Sequence, residues 1–125
     1  MDLTPTVPSG RQVVESYGAR RFRISGAVYE GSVLVFPTET LRWEVGRFDE
    51  IGSDSFRQLM ERAGEIDLLL LGCGARMQLV SKTLREPLRA QGIVVEPMDT
   101  GAACRTYNVL IAEGRRVCAA LIAID

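Results

Sequence analysis

The clearest pattern in the chain is a set of short apolar runs in the second half, each followed by a helix-start signal. Asp67 to Leu71 is a run suited to a strand buried on both faces, and it leads directly into Gly72-Cys73-Gly74. Ile93 to Glu96 and Val117 to Ile124 are two further buried strands. Between them lie a helix within Ser81 to Gln91, stopped by Gly92, and a second helix over about Ala102 to Ala112, with Thr100 as its cap and Gly114 as its stop. Pro87 falls inside the first of these. A capping box at Thr83-Leu84-Arg85-Glu86 would place that proline near the first turn, where its missing N–H costs least. The order is βαβαβ, and right-handed crossovers then require a mostly parallel core sheet.

The first half reads as β-structure. Arg21 to Ile24 alternates polar and apolar, Gly26 interrupts, and Ala27 to Tyr29 and Val33 to Phe36 flank the turn-like Glu30-Gly31-Ser32 as a hairpin. Pro37 ends the second of these strands, and Leu41, Trp43 and Val45 share one face of another. A helix capped by Ser53 or Asp54 follows, with Phe56, Leu59, Met60 and Ala63 on one side and Gly64 at its end. Residues 1–18 read as a turn-rich arm anchored by Val13, Val14 and Tyr17, and residues 19–125 as a single domain. The expected fold class is α/β: three layers, a mixed, mostly parallel central sheet and an N-terminal β-meander or hairpin extension.

Composition narrows the function. A length of 125 residues fits one domain. The formal net charge of -1 argues against nucleic acid as a partner, even though every cationic residue except Lys82 is arginine. Apolar runs are too short for a membrane span, and Met1 to Ser9 lacks the apolar stretch of an export signal, so the expected compartment is the cytoplasm. The chain has no histidine, which removes the commonest general base, metal ligand and partner of a Ser or Cys nucleophile. Cys73, Cys104 and Cys118 are widely spaced and form no CxxC pair, so neither a disulfide framework nor a zinc site is expected. No cofactor, metal or catalytic residue is assigned. Whether the chain is an enzyme stays open, with the balance toward a non-catalytic role.

Two segments carry candidate chemistry. Gly72-Cys73-Gly74 stands at the carboxyl end of a buried strand, where α/β sheets hold ligands and backbone amides can approach an anion. The same glycines also serve as an ordinary tight turn. Neither GxGxxG nor GxxxxGK[ST] is present. Thr100, Cys104, Arg105, Thr106, Tyr107 and Asn108 form the densest polar stretch of the second half. Cys104, Arg105 and Asn108 could face the same crevice, with Cys104 activated by the helix start and Arg105, or the stretch could serve capping and local backbone bonds.

The segment from Met98 to Leu121, MDTGAACRTYNVLIAEGRRVCAAL, resembles the signature of the family known as domain of unknown function 498. Phe22-Arg23-Ile24, Tyr29-Glu30-Gly31-Ser32, Trp43, Gly72-Cys73-Gly74 and Gly92-Ile93 extend the similarity over nearly the whole chain, with Cys73 replacing a threonine common among relatives. The resemblance implies a three-layer α/β fold with a mixed sheet and a β-hairpin extension. It implies no catalytic residue or cofactor. The family's mitochondrial members, which help assemble respiratory complex I, imply a protein-binding role, with a surface near the hairpin and the third helix as the expected contact. The alternative is a small-ligand or anion-binding protein, possibly an enzyme, using the crevice between the Gly72-Cys73-Gly74 turn and the Thr100 to Asn108 helix start.

Overall fold

A computed structural model describes residues 9–125; the expectations for Met1 to Pro8, including the absence of an export signal, lie outside the described residues. Among the described residues, eight strands form two sheets. β1 (Val14–Gly18), β2 (Arg21–Ile24) and β3 (Ala27–Glu30) make an antiparallel three-stranded sheet. β4 (Val33–Val35), β5 (Thr40–Arg42), β6 (Leu68–Gly72), β7 (Val94–Met98) and β8 (Val117–Leu121) make a second sheet in the order β5-β4-β8-β6-β7. In that sheet β6 runs parallel to both β7 and β8, while β4 is antiparallel to β5 and β8. The expected mixed α/β architecture is present.

From β6 the chain steps to β7 on one side, then back across to β8 on the other. Right-handed connections must therefore lay the two intervening helices, α2 (Lys82–Ala90) and α3 (Thr100–Ala112), on opposite faces of the sheet. The strand alternation matches. Leu69, Leu71, Cys118, Ala120 and Ile122 point into a core with Leu88 of α2, Trp43, Phe56 and Leu59. Leu70, Val117, Ala119 and Leu121 point into the other, with Ala103, Cys104, Tyr107 and Ile111 of α3 and Val14, Phe22 and Ile24 of the small sheet. Ala119 and Ala120 keep β8 slim enough to be packed on both faces at once.

Several local expectations are corrected. Glu30-Gly31-Ser32 does not close a hairpin: β3 and β4 belong to different sheets, and the true hairpin partners are β1 with β2 and β2 with β3. The reason lies in long-range bonds at Ser32, whose hydroxyl accepts from the Ala123 N–H at 3.0 Å and whose carbonyl accepts from the Trp43 N–H at 2.9 Å. Val14 to Gly18, expected in a turn-rich arm, is a strand, and Val13, Val14 and Tyr17 are buried. The helix expected from Ser53 to Gly64 is broken into a 3₁₀ turn at Ser53–Phe56, one α-turn, α1 (Arg57–Met60), and a 3₁₀ turn at Ala63–Glu65, so Gly64 lies within the last turn. Ser81, rather than Thr83, caps α2 by accepting from the Leu84 N–H at 3.4 Å, which leaves Pro87 inside the helix. β8 ends at Leu121, and Ile122 to Ile124 continue as extended chain.

One side chain of α3 clamps the backbone of the small sheet. Asn108 accepts from the Val14 N–H at 3.0 Å and donates to the Val14 carbonyl at 2.8 Å, so its amide pairs with β1 as a neighbouring strand would. Both contacts are buried. Asn108→Leu keeps the volume but orphans a buried donor and a buried acceptor, a loss of about 3 kcal/mol. A urea-denaturation midpoint lowered to that extent is the expected outcome, and an unchanged midpoint would show that the clamp does not hold β1.

Candidate functional site

The point where the chain reverses its direction across the sheet lies between the carboxyl ends of β6 and β8, the usual location of a crevice in an α/β sheet. A cleft of about 520 Å3 opens there, bordered by Arg20, Arg47, Asp49, Gly74, Gln78 and Ile124 among others. Of the nine residues singled out from sequence, only Cys73 and Gly74 line it. The rest are engaged elsewhere.

Thr100 occupies the centre of the strand ends. Its hydroxyl donates to the Ile122 carbonyl at 2.7 Å and accepts from the Gly74 N–H at 3.0 Å, while its own N–H donates to the Gly74 carbonyl at 2.8 Å. The Ile122 N–H completes the circuit by donating to the Gly72 carbonyl at 3.0 Å. Thr100 is fully buried. Its expected role as helix cap falls to Asp99, whose carboxylate accepts from the Ala102 N–H at 2.8 Å. Asp99 frees the threonine hydroxyl for the strands. Gly72 is required by contact: a Cβ there would meet the Thr100 Cα and Oγ1 and Leu121 Cδ2, each at 3.1 Å. Gly74 is required by its backbone, at a φ of +107°. The amide most able to meet an anion is thus already bonded inside the protein.

The helix residues disperse. Cys104 is fully buried against the small sheet, and burial pushes its thiol up to about 12, overriding the opposite pull of Arg105. Burial therefore works against the activated thiolate considered from sequence. Burial likewise raises Cys73, whose thiol lies 3.5 Å from the Leu71 carbonyl oxygen. Tyr107 is buried and donates to the Phe36 carbonyl at 3.1 Å; burial raises its phenol as well. Asn108 holds Val14, and Thr106 is half-buried. Arg105 is exposed and donates to the Tyr17 hydroxyl at 3.2 Å. That hydroxyl lies so near Gly101 that a Cβ would come within 2.5 Å of it, which accounts for glycine in the first turn of α3. Cys104, Arg105 and Asn108 do not converge with Gly72 and Gly74 on one crevice.

Features missed by the sequence reading stand around the same cleft. Ala19 and Arg20 form the two-residue β1–β2 turn with φ of 51° and 60°, costly for residues with a side chain. The Arg20 N–H donates to the Ile124 carbonyl at 2.7 Å and its carbonyl accepts from Gly31, which fixes the turn at the cleft edge. Arg47 pairs with Asp49 at 2.7 Å. Beyond Gly74, the connection to α2 leaves Met77 and Leu79 54% and 83% exposed. A larger cleft, about 870 Å3, lies along β5 between Arg42, Glu44, Asp54, Arg57 and Glu61, and none of the nine candidate residues borders it. Among the described residues, no group of side chains is arranged to hold a metal ion, and no helix is long and apolar enough to cross a membrane.

Comparison with known proteins follows the same outline. The family model described as "Protein of unknown function (DUF498/DUF598)" matches residues 14–122. An uncharacterized protein of Rhodobacter capsulatus is 41% identical over 122 residues, which are 96% of this chain and 93% of that protein. The NADH dehydrogenase [ubiquinone] 1 alpha subcomplex assembly factor 3 of Danio rerio is 38% identical over 91% of this chain, which spans 66% of its length. The solved structure of a Bartonella henselae chain, described as an outer membrane protein, superposes with a TM-score of 0.83 at 30% identity, covering 93% of this chain and 98% of that one.

The Thr100 circuit gives a direct test. Thr100→Val preserves shape but orphans the Gly74 N–H and the Ile122 carbonyl, costing about 3 kcal/mol, whereas Thr100→Ser retains the hydroxyl and most of the stability. Thermal melts of the two variants should differ accordingly; equal melts would mean that the hydroxyl does not join the strands.

Proposed function

Because the chain belongs to the DUF498/DUF598 family, which its similarity to assembly factor 3 places beside proteins named for building respiratory complex I, we propose that it acts by binding another protein without catalysis. The observation that carries this reading is the connection after Gly74. Met77 and Leu79 project from one short loop, 54% and 83% exposed, beside partly buried Val80. Large apolar side chains held in water two residues apart on one loop favour a partner that covers them. Val28 of the hairpin and Val109 of α3 are also exposed, on the elements first expected to contact a partner.

The partner favoured by family analogy is a component of a respiratory complex under assembly. We place the protein in the cytoplasm, a compartment consistent with three unpaired buried thiols. With a net charge of -1, nucleic acid is outside the proposal. A second reading, a small anionic ligand in the cleft at the ends of β6 and β8, draws support from Arg20 and Arg47 at its border. It uses Gly74 and Cys73 from the sequence-derived set and leaves out Thr100, Cys104, Arg105, Thr106, Tyr107 and Asn108.

Affinity purification of the tagged chain from its own cells separates the two. Met77→Ser together with Leu79→Ser is expected to leave the melting temperature unchanged and to reduce recovery of a defined protein partner at least tenfold by mass spectrometry. Undiminished recovery would overturn the loop as the contact. A co-purifying small anion lost with Arg47→Ala, and no stable protein partner, would favour the second reading.

A further inference from the structure

β7 is one of the two edge strands of the five-stranded sheet, and α2 packs against it. Between them runs a groove of about 240 Å3 walled by Ile93, Val94 and Val95 and topped by Arg85 and Arg89. The two arginines lie four residues apart and hence on one face of α2. The groove is at the opposite side of β6 from the β6–β8 crevice, and Met77 and Leu79 do not line it.

Three observations describe what would fit. Arg85 Nε is buried and has no hydrogen-bond partner, so a donor of a charged group stands desolvated and unmet. Among the described residues neither Arg85 nor Arg89 makes an ion pair, although Arg20, Arg21, Arg23, Arg47, Arg62 and Arg116 all do. The acidic neighbours Glu86 and Glu96 are exposed, and neither lies within ion-pair distance of the two arginines or borders the groove. Ile93 and Val95, finally, face α2 and pack with Leu88, forming the apolar floor of the groove. The site offers two guanidinium groups beside the buried side chains of Ile93 and Val95.

We propose that this groove docks an acidic segment of a partner protein, with a carboxylate on Arg85 and Arg89. A carboxylate meets the requirement because the guanidinium presents planar paired donors that match its two oxygens. The segment is held by side chains rather than by a long added strand. The Val94 N–H donates to the Asp67 carbonyl and the Met98 carbonyl accepts from the Cys73 N–H, so the backbone groups of alternate β7 residues face β6 and those of Val95 and Pro97 point away from it. Proline has no N–H to give there, which blunts the edge against continued pairing.

The test is selection from a phage-displayed library of random twelve-residue peptides on the immobilised full chain. Enriched peptides should carry Glu or Asp. Their affinity, by fluorescence polarisation, should fall at least tenfold for Arg85→Gln with Arg89→Gln, and equally when the peptide acids become Gln. Amide chemical-shift mapping on the unmodified chain should place the peptide at residues 85–95, which keeps the result readable if the double variant unfolds. Failure to enrich acidic peptides, binding unaffected by the arginine changes, or shifts elsewhere would overturn the proposal. So would displacement of the peptide by phosphatidylglycerol vesicles or by an oligonucleotide, since the groove would then answer to any polyanion. None of these failures bears on the Met77 and Leu79 loop.

Discussion

The molecule depends on a single buried hydroxyl at the carboxyl ends of two parallel strands. Adjacent parallel strands whose chains leave in different directions expose backbone groups that the sheet ladder no longer serves. Thr100 serves them at once, bonding Gly74 after β6 and Ile122 after β8 while remaining the first residue of α3. The helix is therefore tied to the sheet at its beginning. Asn108, two turns on, ties the same helix to β1. α3 becomes the rigid element on which the central and the small sheet are both mounted.

This arrangement explains why residues from Gly72 to Gly74 and from Thr100 to Asn108 look like a binding site in the sequence. Glycines at a strand end, a threonine before a helix and a run of polar side chains along its first turns are also the means of closing a switch point without ligand. Gly72 gives room to Thr100, Gly101 gives room to the Tyr17 hydroxyl, and Tyr107 satisfies the Phe36 carbonyl. What is left facing solvent is different in kind: a loop with Met77 and Leu79, a mixed-charge cleft and a pair of arginines at the sheet edge.

The sequence made the central layers legible because their signals are local. Leu68 to Leu71 and Val117 to Leu121 are apolar on both faces, and the intervening segments carry helix stops at Gly92 and Gly114. Asp99 and Thr100 are both good caps, and only the length of β7, which continues through Pro97 to Met98, decides between them. The partition of β3 and β4 between sheets was illegible, since it depends on Ser32 bonding to Ala123, 91 positions away. The dispersal of Cys104, Arg105, Tyr107 and Asn108 was equally hidden: helical spacing brings them near one another, but burial against different neighbours gives each a separate task.

The central claim is that these residues are fasteners of the fold. Native-state hydrogen exchange of the Gly74 and Val14 amides tests it directly, because each donates to the side chain named here. If Thr100 and Asn108 hold the layers together, both amides exchange only through global unfolding, with the same opening free energy as Leu70 in the middle of β6. Exchange at the rate of the exposed loop around Leu79 would show that these bonds open freely in the folded protein, and would contradict the account.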